Sequence, residues 1–386
     1  MIPVISSLST RKAMFTRRPK RPRAFLQVPN VELAMIRFRC QWITFVLIAL
    51  LLSRASVGSA GNDASREKIK LRYVLKGNAG HFVSVGFSAD GKILAAGNMD
   101  GTVRFWDVAS GKSIRKQFVY PEDTSSVFSL AFSPDGNKFA SAGTGFSGSL
   151  RVWDLATQKE LWNREKFLYC NQVLFSPDGK RLAVSGYRTV YVFDSVNGKE
   201  VWTASIDPGF FTSLSFSPDG SALLSGGHGF LHARVWDVGT GKLVSKVELN
   251  RPDFFGGIYS LTFTGKKTFA VGSHNSVIGI WNVEGKKVGG LLRNLAVEGR
   301  VMSLAVPPNE KLLVFGTAKG SFGIFSLNDS KRLTDGISGE ADIAVAVSPD
   351  GRLVATTGWN FNPGRSFINV WDIGPLDTQG QDSKDK

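Results

Sequence analysis

Apolar and polar residues alternate over short stretches along most of this chain, and many of these stretches end in a sequence that favours a tight turn. Val83, Val85 and Phe87 alternate with smaller or polar residues, which is the two-residue period of a β-strand with one buried face. A turn sequence follows at once, and a second apolar stretch then runs from Ile93 to Ala96. The pattern predicts an antiparallel hairpin.

The turn sequence reads Phe-Ser-Pro-Asp-Gly, or a close variant of it, in five places. Proline pre-sets φ, aspartate accepts hydrogen bonds from nearby backbone amides, and glycine tolerates a positive φ. The five copies are Phe87 to Gly91, Phe132 to Gly136, Phe175 to Gly179, Phe216 to Gly220 and Val347 to Gly351. The hairpin is therefore a repeating unit.

A second repeated signal follows each hairpin, where a strand-like stretch ends in an aromatic residue and a small polar or acidic one. Successive copies lie 40 to 47 residues apart. They are Trp106-Asp107, Trp153-Asp154, Phe193-Asp194, Trp236-Asp237, Trp281-Asn282, Phe325-Ser326 and Trp371-Asp372. A period of roughly 40–45 residues built from short strands is typical of a propeller blade. We therefore predict an all-β protein, a seven-bladed β-propeller of four-stranded antiparallel blades.

These aromatic pairs and turns resemble the WD-repeat β-propeller family over residues 71–374. The last blade lacks a fourth strand, because the chain after Trp371-Asp372 is a short polar tail. Apolar residues alternate before the first repeat, over residues 69–75. In the family such an N-terminal strand joins the last blade, so we expect it to close the ring and remove two open sheet edges.

The first 60 residues have a different character. An apolar run over residues 41–52 is too short for a bilayer span and has the length of a signal-peptide core. Small residues follow it and suggest cleavage after Ala60, while Met35 is an alternative start. An uncleaved anchor is the other interpretation. The positive-inside bias places the propeller outside the cytoplasm in both cases.

The expected organisation follows from these boundaries. It consists of a basic leader with the signal peptide (1–60), a linker (61–68), the propeller (69–374) and a polar, disordered tail (375–386). The expected location is extracytoplasmic, either periplasmic or secreted, with no stable membrane span once the signal is cleaved.

The net charge of +15 first suggests a nucleic-acid partner. However, residues 1–60 hold 10 basic residues and one acidic residue, so they carry +9 and leave +6 for the other 326 residues. That charge is modest for a domain of this size and is not concentrated in the stripe that phosphate contacts need. We therefore expect no nucleic-acid binding.

The residues that carry chemistry give no catalytic pattern. Cys170 falls in an apolar column shared with Phe82 and Phe211, which favours a buried structural thiol. His228 and His232 are four residues apart without a helix, which is weak evidence for a metal pair. We predict no enzyme activity, no cofactor and no small-molecule substrate.

A quinoprotein-like propeller dehydrogenase is one alternative function. Trp162 and Trp202 occur in steps similar to the Gly-Lys-x-x-Trp steps of quinoprotein propellers, which dock their blades through tryptophans. Only two of the seven predicted blades carry this tryptophan, and the sequence has no obvious calcium-ligand cluster. Both observations weaken this alternative.

One polar network is implied by the family resemblance. Gly80-His81 and Met99-Asp100-Gly101 match the family's Gly-His step and aspartate turn in the first blade. In the family these groups form a buried hydrogen-bond network with the blade's tryptophan, which here is Trp106. We interpret His81, Asp100 and Trp106 as a structural network.

Aromatic residues gather on the loops that enter each repeat and on the loops that join its second and third strands. In the family, both sets of loops lie on one face of the ring. They include Tyr120, Phe210, Phe254 and Phe255 on entering loops, and Phe146, Tyr187, Phe230, Trp359 and Phe361 on joining loops. Arg188 and Arg365 add directional polar contacts. We expect a protein-interaction or scaffolding module that binds a protein or peptide here, with a glycan as the alternative ligand.

Overall fold

The computed structural model describes residues 69–77, 81–119, 124–145, 149–165, 170–205, 210–228, 232–249, 257–339, 344–358 and 366–374. Within these ranges the chain forms seven antiparallel sheets of four strands each, and six of the sheets are built from four consecutive strands. The predicted all-β, seven-bladed propeller is confirmed.

Every blade uses the same order of strands, with the first strand paired to the second, the second to the third and the third to the fourth. The strands are β1 (Lys70–Lys76), β2 (Phe82–Phe87), β3 (Ile93–Asn98), β4 (Thr102–Asp107), β5 (Ser113–Val119), β6 (Thr124–Phe132), β7 (Lys138–Gly145), β8 (Leu150–Asp154), β9 (Glu160–Arg164), β10 (Gln172–Phe175), β11 (Arg181–Ser185), β12 (Thr189–Asp194), β13 (Glu200–Ser205), β14 (Phe210–Phe216), β15 (Ala222–His228), β16 (His232–Asp237), β17 (Leu243–Glu248), β18 (Ile258–Phe263), β19 (Thr268–Ser273), β20 (Val277–Glu284), β21 (Lys287–Ala296), β22 (Val301–Ala305), β23 (Leu312–Thr317), β24 (Ser321–Ser326), β25 (Arg332–Ile337), β26 (Val345–Val347), β27 (Leu353–Gly358) and β28 (Phe367–Asp372).

The ring closes as the sequence predicts. The strand β1 pairs antiparallel with β28, from Lys70 opposite Asp372 to Lys76 opposite Phe367, and becomes the fourth strand of the last blade. Leu75 on β1 is buried in the core between the last and first blades. The first strands of successive blades contact one another, and β26 of blade 7 contacts β2 of blade 1.

The apolar column near the start of each first strand forms the centre of the core. Its members are between 0% and 3% exposed, namely Phe82, Val127, Cys170, Phe211, Ile258 and Val301. Cys170 is buried, as predicted, and burial raises the pKa of its thiol to about 12, which favours a structural role. Other core contacts cross from blade to blade, as where Phe105 and Phe139 meet edge to face at 5.3 Å.

A belt of side-chain hydrogen bonds joins the first strands. The side chain two residues after the apolar column accepts a hydrogen bond from a backbone N–H of the next blade. This bond occurs at all five interfaces between consecutive blades from blade 2 to blade 7. The acceptors are Ser129, Gln172, Ser213, Ser260 and Ser303, at 2.6 to 3.2 Å from the donor nitrogen. The same position in blade 7 is Ala344, which has no side-chain acceptor. The last interface is therefore held together differently.

A second set of contacts, which we call the latches, lies on the fourth strands. Each latch residue sits opposite the residue that precedes the aromatic pair, and it donates a hydrogen bond to a backbone carbonyl of the next blade. Trp162 donates to Ser195 at 3.2 Å, Trp202 to Val238 at 2.8 Å, Arg293 to Leu327 at 3.0 Å and Tyr73 to Ala109 at 2.5 Å. Tyr73 belongs to β1, so this latch spans the interface between blades 7 and 1.

The latches explain the two tryptophans that suggested a quinoprotein. The ring of Trp162 lies 2.6 Å from where a side chain on Gly198 would begin, and Trp202 lies equally close, at 2.7 Å, to Gly241. Both glycines have positive φ, so a side chain there would be strained as well as blocked. These tryptophans therefore act in docking one blade on the next.

Candidate interaction face

One face of the ring carries the repeated turns, and we call it the turn face. In the first copy, the Ser88 hydroxyl donates to the Asp90 carboxylate at 2.6 Å, and the Lys92 N–H donates to the same oxygen at 3.1 Å. The Ile93 N–H donates to the Ser88 hydroxyl at 2.9 Å. The arrangement recurs at Asp135, Asp178, Asp219 and Asp350.

The carboxylates of these turns are held in their charged form. A hydrogen bond from the neighbouring serine is the main cause that lowers the pKa of Asp90, Asp135, Asp178 and Asp219. The aspartates of the aromatic pairs are engaged in the same way. Asp237 accepts from Lys286 and Thr240, and these contacts, led by Lys286, lower its pKa to about 2. The acidic groups of this face therefore serve local structure.

The opposite face, which we call the loop face, contains the entering and joining loops. Each first strand ends at a repeated turn, so it begins at the other face, and the antiparallel second strand returns there. Residues just before a first strand and residues between the second and third strands therefore share the loop face. It is the face on which the sequence predicts a binding site.

The first cluster on the loop face is the blade 3–4 corner, formed by Tyr187, Arg188 and Phe210. Tyr187 and Arg188 lie between β11 and β12 of blade 3, and Phe210 begins β14 of blade 4. The rings of Tyr187 and Phe210 meet edge to face at 4.5 Å, and the Arg188 guanidinium lies 5.3 Å from the Tyr187 ring centre. Both rings are half-buried and Arg188 is exposed. Three residues from two predicted loops therefore meet.

The second cluster, the blade 5–6 corner, consists of Tyr259, His274, Arg300 and Lys319. His274 lies between β19 and β20, with its ring centre 6.1 Å from that of Tyr259. The Arg300 guanidinium lies 5.9 Å from the Tyr259 ring centre, in a cation–π arrangement. Burial first, and then the charge of Arg300, lower the pKa of His274, which favours its neutral form.

Sequence reasoning did not include this second corner. Tyr259 falls within a strand, so it was not among the aromatic residues predicted on loops. A usable signal existed, because Arg300 precedes buried Val301 as Phe210 precedes buried Phe211. Comparing this one position between blades would have placed Arg300 on the loop face.

The residues of the predicted polar network lie in blade 1. The Asp100 carboxylate accepts from Asn98 at 3.0 Å and from the Thr102 N–H at 2.9 Å, and the Trp106 ring packs edge to face on Phe82 at 5.6 Å. Burial lowers the pKa of His81. The joint network of His81, Asp100 and Trp106 stays a prediction.

Indole groups in three other blades use a different partner, which sequence reasoning missed. Each donates to a hydroxyl on the second strand of its own blade, at 2.8 to 3.3 Å. The pairs are Trp153 with Ser141, Trp236 with Ser225 and Trp371 with Thr356. The corresponding residue of blade 1 is Ala96, so Trp106 cannot form this bond.

Eight predicted binding residues lie outside the described residues. They are Tyr120, Phe146, Phe230, Phe254, Phe255, Trp359, Phe361 and Arg365. His228 and His232 were weak candidates for a metal pair, and the His232 ring lies 3.3 Å from the Glu248 carboxylate. Nowhere in the described part of the chain do three potential metal-ligating His, Cys, Asp or Glu residues converge.

Comparison with known proteins finds relatives that are similar to this chain over part of their length. The chain is 30% identical over 201 residues to the Periodic tryptophan protein 2 homolog of Schizosaccharomyces pombe, covering 52% of this chain and 20% of that protein. It is 30% identical over 138 residues to the small ribosomal subunit protein RACK1 of Medicago sativa (31% and 40%). It is 27% identical over 184 residues to the WD repeat-containing protein SL1-17 of Schistosoma mansoni (47% and 58%). The chain thus spans less than two thirds of the length of each of these relatives.

The expected location outside the cytoplasm is wrong. The relatives include small ribosomal subunit proteins of Medicago sativa and Oryza sativa, and the ribosomal subunit is an intracellular particle. The expectation rested on a short apolar run after basic residues, and length and composition alone do not distinguish an export signal from other apolar segments. Residues 1–60 lie outside the described residues. Within the described ranges, no helix has the length and apolar character needed to cross a bilayer.

The family assignment rests on sequence and structure together. Residues 69–107 and 114–154 match the family described as WD domain, G-beta repeat. These two matches cover β1 to β4 and β5 to β8, and the same blade is repeated around the whole ring. The chain is therefore a WD-repeat β-propeller protein.

Proposed function

We propose that this protein is a non-catalytic interaction scaffold that binds a protein or peptide through its loop face. The observation that carries this proposal is the pair of aromatic and cationic corners on one face, opposite a face whose carboxylates are engaged in turns. Tyrosine and arginine are enriched among the residues that dominate binding energy at protein interfaces. Trp359 and Phe361, which lie outside the described residues, stay sequence-based candidates for partner binding.

A rigid platform suits this role. The belt and the latches connect neighbouring blades, so groups on the loop face keep their relative positions before a partner arrives. Such preorganisation reduces the entropy lost on binding. The names of the ribosomal relatives place those proteins in a large assembly, which supports a protein partner for this chain as well.

A random peptide library displayed on phage tests the proposal with the full chain as target. We expect enriched peptides to bind the Tyr187→Ala variant roughly tenfold more weakly, which is a typical loss for an interface aromatic. They should bind Lys92→Gln normally, since Lys92 is exposed on the turn face. A library that yields no specific binder, or binders equally sensitive to both variants, would contradict the proposal.

A further inference from the structure

The blade 5–6 corner presents cations that have no carboxylate partner in the described part of the chain. Among the described residues, no carboxylate oxygen lies within 4.0 Å of the Arg300 guanidinium or of the Lys319 ammonium group. Glu298 is the acidic residue closest to Arg300 in sequence, and it forms no such pair. The turn face differs, since its aspartates are held by serines, backbone amides and, at Asp237, by Lys286.

Contacts of the backbone bring the segments that carry the two cations together. The Ala318 N–H donates to the Arg300 carbonyl at 2.9 Å, which ties the loop before β22 to the loop between β23 and β24. Gly299 adopts φ 97°, and the Lys319 stem lies 2.9 Å from where a side chain on Gly299 would begin. A larger residue at 299 would displace Lys319. The close approach therefore brings the Lys319 chain against the loop that carries Arg300.

The aromatic residue sets the direction of the guanidinium. The Arg300 guanidinium lies 5.9 Å from the centre of the Tyr259 ring, and the His274 ring centre lies 6.1 Å from it. A guanidinium on an aromatic ring keeps N–H groups available at its edge, and these suit the two oxygens of a carboxylate or phosphate. The His274 imidazole adds a further hydrogen-bonding group beside the guanidinium.

We propose that the blade 5–6 corner binds an anionic side chain of the partner polypeptide, with Arg300 as the principal contact and Lys319 as a supporting charge. This inference rests on the proposed function, because it assigns the ligand chemistry of one part of the loop face. The blade 3–4 corner, with two aromatic rings in contact, accepts an apolar side chain of the same partner. The anionic group is a carboxylate or a phosphate, since both offer oxygens to the guanidinium.

A double-mutant cycle tests the assignment with the full chain and a peptide enriched from the phage library. The peptide is made with its acidic residue intact and with that residue changed from Glu to Gln or from Asp to Asn. We expect Arg300→Gln to weaken binding of the acidic peptide by roughly tenfold or more, as for other charge-assisted hydrogen bonds. The same variant should leave the affinity for the amide analogue almost unchanged. Lys319→Gln should weaken binding of the acidic peptide by about threefold, and Lys92→Gln on the turn face should leave the affinity unchanged.

A third peptide, with phosphoserine at the acidic position, separates the two anions. Tighter binding than the carboxylate peptide, lost in Arg300→Gln, assigns phosphate, and weaker binding assigns carboxylate. Equal losses for the acidic and amide peptides in Arg300→Gln would overturn the inference, as would a set of enriched peptides without acidic residues. In those cases, continued sensitivity to Tyr187→Ala would leave the proposed function standing. Insensitivity to Tyr187→Ala as well would reject both.

Discussion

The two faces of this propeller carry different residue types, which serve different purposes. On the turn face, Ser88 and Asp90 form a closed set of hydrogen bonds that recurs at Asp135, Asp178, Asp219 and Asp350. On the loop face, the corners at Tyr187 and Arg300 have no repeated counterpart among the described residues, and each joins residues from two blades. Repetition therefore marks groups that stabilise the fold, and departures from repetition mark groups available to a partner.

This difference predicts an order of effects on stability. Changes to the ring and to the contacts between blades should lower the stability of the fold the most, changes to the repeated turns less, and changes to the corners least. Changes to the corners should have the largest effect on partner binding.

The largest expected effect comes from removing β1. Deleting residues 70–76 would expose edges in blade 7 and remove both Leu75 and the Tyr73 latch, at the interface where Ala344 interrupts the belt. We expect the melting temperature to fall by at least about 10 °C, measured by circular dichroism. Val74→Ala, at a position that is 46% exposed, serves as the control and should change little. An unchanged melting temperature after the deletion would show that β1 does not close the ring.

A latch should contribute less than the closing strand but more than a turn. Trp162→Ala removes a side chain that is 8% exposed, together with its bond to Ser195, and should cost about 3 kcal/mol in the free energy of unfolding. The neighbouring Leu161 is 45% exposed, and Leu161→Ala should cost less than about 0.5 kcal/mol. Urea denaturation measures both. Similar losses for the two variants would remove the special role of the latch.

A repeated turn should contribute stability that depends on pH. Asp135→Asn weakens the bonds from Ser133 and the Asn137 N–H, and we expect a melting temperature lower by roughly 1–3 °C at pH 6. The serine hydrogen bond lowers the pKa of folded Asp135, so its stabilisation is complete above the ordinary aspartate pKa of about 4. It is lost as the pH falls from there through the lower folded pKa.

The wild-type and Asp135→Asn proteins should therefore converge in melting temperature between pH 6 and pH 3. Glu200→Gln, at an exposed carboxylate, controls for the loss of a negative charge. A gap that stays constant across this range would show that the charged form of Asp135 does not stabilise the turn.

The corners should have the smallest effect on stability. Tyr187→Ala loses one aromatic pair and should cost about 1 kcal/mol, while Arg300→Gln loses a cation–π contact and should cost about 0.5 kcal/mol. Thermal unfolding monitored by tryptophan fluorescence measures both variants. A loss as large as that of Trp162→Ala would place the corner residue in the scaffold.

Much of the fold was predictable because its signals are local and repeated. The turn from Phe132 to Gly136 carries its own hydrogen-bonding groups, and the alternation around Leu75 identifies a strand without a partner in its own repeat. The buried positions of Cys170 and Phe211 followed from one apolar column. Each of these inferences needed only the residue types within one repeat and their register between repeats.

The latches and the second corner were not predictable in this way. The four latches are formed by two tryptophans, a tyrosine and an arginine, so no single residue type marks the position. What the four residues share is a bond to a backbone carbonyl in the next blade. Tyr259, His274 and Arg300 come from three separate segments whose proximity depends on how two blades pack. The residues of the blade 3–4 corner were predicted to lie on loops, but the contact between Tyr187 and Phe210 was not predicted.

Hydrogen–deuterium exchange of the full chain, with and without a peptide enriched from the phage library, tests the central claim most directly. Two faces with different roles should respond differently to the same ligand. We predict slower exchange of amides around Tyr187, His274 and Arg300 on the loop face, and no change in the turns around Asp90 and Asp135. Protection of those turns, with the loop face unaffected, would contradict the assignment of recognition to the loop face.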